Sequence, residues 1–260
     1  MRLWSLGSGS EGNSILVEHR GARIIIDAGF GTHTLCKRLK SVHIAPQSIH
    51  ALMLTHEHLD HARGARSLAK RFGWPVYATR GTHSQIDGID VCSRETIEPN
   101  EPAVIDWLLV EAWRVSHDAA EPVAYFVTAL DSGERALIAF DLGYVSSGLA
   151  AAVGHVDILV VESNHDEGML RTGPYPPRLQ ARIAGPRGHL SNRAAGLLMR
   201  AAVRHRARHV VLAHLSEVNN TPEVALGNAR RTLIKAGFTG TLTAALQDTV
   251  CGPVGSAPLC

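Results

Sequence analysis

Cysteine is scarce in this chain and shows no pattern. Cys36, Cys92, Cys251 and Cys260 are scattered, with no C-x-x-C among them. That spacing supplies no zinc knuckle and suits reduced thiols in a cytoplasm. Long apolar runs are missing too. None approaches membrane-spanning length, and the opening MRLWSLGSGS lacks the charged-then-apolar order of a signal sequence, so no membrane association is expected. No repeat, low-complexity linker or charge block divides the 260 residues. One domain with a sizeable core is expected over residues 1–249, with 250–260 as a C-terminal tail. The net charge of +2 by itself names no partner.

Histidine, by contrast, is abundant, with fifteen in all. They are densest in LMLTHEHLDHARGARSLAKRF, residues 52–72, where His56, Glu57, His58, Asp60 and His61 fall within six positions. The helical zinc pattern H-E-x-x-H fails here, because position 60 is Asp60 and not a second histidine. An extended or turning chain fits better, since His56 and His58 are two apart and point the same way in extended backbone. Ala51 to Leu54 reads as a strand. Ala62 to Phe72 reads as a helix, with Ala65, Leu68, Ala69 and Phe72 at helical spacing and Asp60 as its expected cap. Between them lies H-x-H-x-D-H, a dense set of the nitrogen and oxygen ligands that divalent transition metals prefer.

Strand-like runs precede and follow this turn, at Leu3–Leu6, Ile15–Val17, Ile24–Ile26, Val76–Ala78, Trp107–Val115, Ala124–Thr128, Ala136–Phe140, Ile158–Val161, Val210–Ala213 and Leu242–Ala244. Helical patterns fall at Thr32–Leu39, Ser146–Val153, Leu179–Ile183, Arg193–Arg204 and Pro222–Ala236. An α/β fold with two sheets between helices is consistent with this order. GSGSEG, residues 7–12, matches the dinucleotide fingerprint G-x-G-x-x-G, but it runs into NSILVEH, another strand. A Gly/Ser hairpin is the plainer reading. Four further ligand types stand where strands end: Asp27 in IIIDAG, His117 in WRVSHDA, Asp141 in LIAFDLGY and His214 in VVLAHLSEVNN. Taken singly, each is an ordinary capping or loop residue.

The His-rich run resembles the signature of the metallo-β-lactamase superfamily. That resemblance implies a four-layer αββα sandwich. It implies two divalent ions, Zn or Mn, one held by His56, His58 and His117 and the other by Asp60, His61 and His214, with Asp141 bridging both. It places Asp27 behind the ligands, hydrogen-bonded to the His-rich loop, assigns Glu57 no role, and leaves Ser8, Ser10 and Asn13 near a substrate phosphate. Two ions so held lower the pKa of a shared water, giving a hydroxide nucleophile that Asp60 and Asp141 would orient. Cysteine, common at the second site of the β-lactamases themselves, is absent from both motifs.

Two features lean toward phosphodiesters. GPRGHLSN, residues 185–192, resembles a segment of the family's nucleic-acid-cleaving branches, where the histidine, here His189, positions or protonates the scissile phosphate; the plainer reading is a loop histidine before a helix cap. ESNHD, residues 162–166, resembles an acidic motif of the same branches, with His165 or Asp166 behind the ligands, or else a helix start. From Arg171 to His209 there are nine arginines and no Asp, Glu or Lys. A solvated face ordinarily mixes signs, whereas arginine forks suit a phosphate backbone. Arg178, Arg182, Arg187 and Arg193 are the expected track for nucleic acid, most readily DNA. SLGSGSEGNS, THEHLDH, ESNHDEGMLRTGPYPPRLQARIAGPRGHLSN and LAHLSEVNN together resemble a small bacterial group of that superfamily, the YycJ (WalJ) group, associated with 5′-to-3′ exonuclease activity on DNA. The alternatives are a small-molecule hydrolase of the same fold, acting on a thioester, lactone or cyclic phosphodiester, and a nucleic-acid-binding protein with a vestigial metal site. Oligomeric state is not legible.

Overall fold

The computed structural model describes residues 1–255. Its first half contains β1 (Arg2–Gly7), β2 (Ser14–His19), β3 (Ala22–Ile26), α1 (Thr32–Ser41), β4 (Ala51–Met53), α2 (Leu59–Ala62), α3 (Ala65–Phe72), β5 (Val76–Ala78), α4 (Arg80–Gln85) and β6 (Arg94–Thr96). The second half contains β7 (Ala103–Ile105), β8 (Leu108–Arg114), β9 (Val123–Ala129), β10 (Arg135–Ala139), α5 (Ser147–Ala152), β11 (Ile158–Glu162), α6 (Glu167–Thr172), α7 (Pro177–Ile183), α8 (Asn192–Val203), β12 (His209–Ala213), α9 (Pro222–Lys235), β13 (Thr241–Ala244) and β14 (Cys251–Gly255). The strands form two seven-stranded mixed sheets, ordered β14-β1-β2-β3-β4-β5-β6 and β13-β12-β11-β10-β9-β8-β7.

Strand alternation produces the layers. Ile24 and Ile26 of β3 enter the core between the sheets, as do Ile158 and Val160 of β11. Their neighbours point outward: Ile25 packs with Leu35 of α1 and Leu68 of α3, and Leu159 and Val161 pack with Leu198 of α8 and Leu233 of α9. Both faces of these strands are buried, which is why they read as unbroken apolar runs. The result is the expected four-layer αββα sandwich, and no helix among the described residues is long and apolar enough to cross a membrane.

The elements depart from expectation in a few places. Asp60 does not cap the helix after the His-rich turn. His58 occupies the N-cap position of the short helix α2, and Asp60 lies in its first turn. α4 and α6 are additional helices, and Asp166 caps α6 by accepting from the Gly168 and Met169 amides at 2.9 and 3.0 Å, so it serves as a helix start. The expected tail, residues 250–260, instead supplies β14, which pairs antiparallel with β1 and extends the first sheet; residues 256–260 lie outside the described part.

Topology puts the candidate residues together. β3 and β4 run parallel, as do β10, β11 and β12. Their carboxyl ends open on one edge of the sandwich, the usual ligand-binding end of such strands. Asp27 follows β3, the His-rich turn follows β4, His117 follows β8, Asp141 follows β10, and His214 follows β12.

Candidate metal centre

All seven expected ligands converge at this edge. Ligand atoms of His56, His58 and His117 lie within 4.8 Å of one another, as do those of Asp60, His61 and His214. Asp141 stands between the two groups, with Oδ2 2.8 Å from His61 Nε2 and 3.8 Å from His56 Nε2, and Oδ1 3.9 Å from His117 Nε2.

The hydrogen bonds outside the cluster decide what faces inward. His61 Nδ1 donates to Asp27 Oδ2 at 2.7 Å. His56 Nδ1 donates to Thr55 Oγ1 at 3.0 Å, and that hydroxyl donates in turn to Asp27 at 2.8 Å. His117 Nδ1 donates to the Gly188 carbonyl at 3.0 Å, and His214 Nδ1 to Glu162 Oε1 at 3.0 Å. Each outer nitrogen is thus committed as a donor, which leaves a lone pair on each inner Nε2. Those inner nitrogens face carboxylate oxygens, one another and, at His61, an amide: His117 Nε2 lies 3.4 Å from His58 Nδ1, His214 Nε2 lies 3.3 Å from Asp60 Oδ2, and Asn13 Nδ2 lies 3.3 Å from His61 Nε2. His56 Nε2 and Asp141 Oδ2 are buried with no hydrogen-bond partner; the 2.8 Å approach of Oδ2 to His61 Nε2 is an acceptor-to-acceptor contact in this tautomer. With the rings neutral, acceptors packed against acceptors in a buried place fit a cation. The donor set, imidazole and carboxylate without thiolate, suits a divalent transition metal.

Proton affinities follow the same charge concentration. Burial favours neutral His61, but the Asp141, Asp27 and Asp60 carboxylates outweigh it and hold that imidazole well above its ordinary range. Burial likewise opposes protonation of His214, yet Asp141, Asp60 and Glu162 raise it to about 9. His56, buried beside His61, is instead pushed well below its ordinary value. The buried carboxylates that favour a charged imidazole at His61 and His214 would equally favour a metal cation among them.

Glu162, the last residue of β11, is the supporting carboxylate that sequence reasoning missed. It is fully buried. Its Oε2 accepts from the Leu142 and Leu190 amides at 2.9 and 3.0 Å. Its Oε1 holds His214 Nδ1 and, at 2.7 Å, His189 Nδ1. His165, expected in that role, makes no hydrogen bond to a ligand; its Nδ1 is buried and unpartnered. The only signal for Glu162 was an acid ending an apolar strand inside ESNHD. His189 is partly exposed on the cleft beside Asp141. Burial opposes its charge, but Glu162 and Asp141 raise its pKa to about 11.

Ser8 and Asn13 do not line the cavity. Both are buried. Ser8 Oγ accepts from the His214 amide at 2.8 Å and donates to Asn13 Oδ1 at 2.7 Å, so this pair fixes the loops. Ser10 alone of the three reaches the cavity. Glu57 accepts from the Ala120 amide at 2.7 Å.

The loops carrying the site are tightly interlocked. Asp27, Asp141 and His214 all have left-handed backbones, with φ of 62°, 50° and 53°, a conformation that costs about 1–3 kcal/mol at a non-glycine residue and clusters at functional sites. The Asp60 carbonyl accepts from the Asn13 amide at 2.8 Å. A Cβ on Gly29 would overlap that carbonyl, so only glycine fits there.

The arginine segment is less bare than its sequence. Arg182 Nε bonds Asp118 at 2.9 Å, Arg193 Nε bonds Glu167 at 3.0 Å, and Arg206 Nε bonds Asp157 at 2.6 Å. The span therefore gets acids from elsewhere in the chain. Arg178 is exposed on α7, and Arg187 Nε donates to the His117 carbonyl at 3.4 Å. Of the four track residues, Arg182 alone lines the cavity over the ligands.

A four-layer sandwich with clustered histidines and aspartates at one edge defines a metal-binding hydrolase scaffold. The chain belongs to the Metallo-beta-lactamase superfamily, whose profile matches residues 7–174. It is 33% identical over 238 residues to exodeoxyribonuclease YycJ of Bacillus anthracis, covering 90% of this chain and 89% of that protein. It is 32% identical over 226 residues to exodeoxyribonuclease WalJ of Streptococcus pneumoniae, covering 85% of this chain and 83% of that one. The crystal structure of the metallo-beta-lactamase fold protein YhfI from Bacillus subtilis superposes with a TM-score of 0.72 over 96% of this chain and 99% of its own, at 15% identity, a likeness of fold. The chain is accordingly a metal-dependent hydrolase of this superfamily.

Proposed function

We propose that this protein is a two-metal phosphodiesterase that removes nucleotides from DNA, in the 5′-to-3′ sense, in the cytoplasm. The observation that carries the reading is the convergence of ligand atoms of His56, His58, His117, His61 and His214 with those of Asp60 and Asp141, in a chain one-third identical to exodeoxyribonucleases. His56, His58 and His117 would hold one ion and Asp60, His61 and His214 the other, with Asp141 shared. Two divalent ions, Zn or Mn, supply charge stabilisation for a phosphoryl group and a nucleophile at neutral pH.

The remaining work falls to the chain. Asp27 keeps His61 in the tautomer that presents Nε2 inward, and Thr55 does the same for His56. Glu162 fixes both His214 and His189 by their Nδ1 atoms. Among the described residues His189 Nε2 has no hydrogen-bond partner, and the protonated ring donates from it to a phosphate oxygen or to the departing oxygen. Asp60 and Asp141 orient the attacking water by accepting from it. Arg178 and Arg187 draw the phosphate backbone toward the cleft; Arg182 and Arg193 do so less, because carboxylates already meet them.

The test is to incubate metal-loaded protein with end-labelled duplex DNA, single-stranded DNA and RNA, beside a thioester and bis-p-nitrophenyl phosphate. Stepwise release of nucleotides from the 5′ end of DNA is expected. Turnover of the thioester with intact DNA would favour a small-molecule hydrolase.

A further inference from the structure

The YPPRLQARI stretch, residues 175–183, resembles part of the nuclease-like group's long central segment, and none of the roles above uses its apolar residues. Tyr175, Leu179 and Ile183 recur every four positions, so Leu179 and Ile183 share a face of α7 and Tyr175 precedes them on the approach to the helix. An apolar face normally goes into a core. Here no residue of α7 is buried, and Tyr175, Leu179 and Ile183 instead line the cavity above the metal ligands. A metal ion gains nothing from such a wall, since hard and borderline cations bind nitrogen and oxygen. A ligand that is anionic at one end and flat and apolar at the other matches both surfaces.

The wall is held in place before any ligand arrives. Pro176 and Pro177 fix the chain at the start of α7. Gln180 Nε2 donates to the Tyr175 carbonyl at 2.8 Å. The Arg182–Asp118 ion pair ties α7 to the loop that carries His117. Among the described residues the Tyr175 hydroxyl has no hydrogen-bond partner, so its ring is positioned by backbone and not by a polar anchor. The cavity is about 270 Å³, just below the roughly 300–1,000 Å³ typical of ligand sites, which suits one nucleotide unit and not several.

We propose that Tyr175, backed by Leu179 and Ile183, is a stacking platform for the terminal nucleobase of a DNA strand whose adjoining phosphate lies on the metal-ligand floor. The inference rests on the nuclease reading and adds what limits attack to a strand end: one base is received, and the wall stops the next. Stacking on an aromatic ring tolerates every base, so no sequence preference is expected.

The experiment is a cycle of enzyme against substrate. Wild type, Tyr175→Ala and Tyr175→Phe are each assayed for release of the terminal nucleotide from a short DNA strand, and from the same strand with an abasic tetrahydrofuran unit at the attacked end. Tyr175→Ala should lose about 5- to 150-fold in kcat/KM on the normal strand, the range that base–aromatic stacking covers. Tyr175→Phe should stay near wild type. The two losses should not add: once the base is gone, replacing Tyr175 should cost little more. Anisotropy of the same labelled strands on His189→Ala protein, which cuts slowly enough to measure binding, should show the same non-additivity. Equal losses on both strands, or none on the normal one, would overturn the platform while leaving the nuclease intact. If wild type releases nothing from DNA, the nuclease reading fails and the platform fails with it.

Discussion

Glu162→Gln is the sharpest probe of how the site is held. The carboxylate has two oxygens and four donors: the Leu142 and Leu190 amides on Oε2, and His189 and His214 Nδ1 on Oε1. An amide has one oxygen and one NH₂, so it cannot accept on both sides. The backbone amides cannot turn, which directs the Gln oxygen to them and the NH₂ to the imidazoles. His214 must then accept at Nδ1 and carry its proton on Nε2, the atom that faces Asp60. The ligand is lost as a lone pair unless the ring flips. Loss of such a supporting partner lowers metal affinity about 10- to 100-fold, or roughly 1.4–2.8 kcal/mol. The cluster of His56, His58 and His117 makes no bond to Glu162, so the loss should be confined to one of two binding events. Titration of metal-free protein against a competing chelator resolves the two. Unchanged affinity for both equivalents, or equal weakening of both, would refute the reasoning. Turnover should also fall, because His189 loses one of the two carboxylates that keep it protonated.

Other perturbations separate the remaining roles. His189→Ala should keep its metals, measured by elemental analysis, and lose about 10²- to 10⁴-fold in turnover; loss of metal would instead make it a ligand. Changing Arg178 and Arg187 together to Gln should flatten the log–log salt dependence of duplex binding by up to about two units, since each neutralised phosphate contributes about −0.9. The Arg182 and Arg193 pair should change it less, because their charges already meet Asp118 and Glu167, and equal effects from both pairs would contradict that ranking. Gly29→Ala must push the Asp60 carbonyl aside, with an expected loss of about 1–3 kcal/mol in thermal stability and weaker metal binding; a wild-type melting curve would show that the loops can yield.

Much of this centre was legible because its determinants are local or sit at strand ends. H-x-H-x-D-H packs four ligands into one turn, and Asp27, His117, Asp141 and His214 each follow an apolar strand. Grouping them into two sites came from the family resemblance, not from spacing. What stayed hidden depends on contacts distant in sequence. The acids that meet Arg182, Arg193 and Arg206 lie outside the acid-free span, so a bare basic stretch proved partly compensated. Glu162 looked like the end of a strand, and His165, three residues on, carried the more conspicuous side chain. α4, RGTHSQ, has no apolar period to announce it, and β14, CGPVG, carries the Gly and Pro of a loop while pairing with β1. The left-handed backbones of Asp27, Asp141 and His214 leave no trace in residue type alone, since Asp and His tolerate that region but do not require it.

The central claim, two cations bridged by Asp141, is open to direct measurement. Metal-free protein is reconstituted with zinc or manganese, counted by elemental analysis, and crystallised for anomalous scattering at the metal edge. Two ions per chain are expected, one among His56, His58 and His117 and one among Asp60, His61 and His214, with Asp141 touching both. His58→Ala should retain only the second, and Asp141→Ala should bind both weakly. No bound metal after reconstitution, or full and undiminished loading of Asp141→Ala, would contradict it.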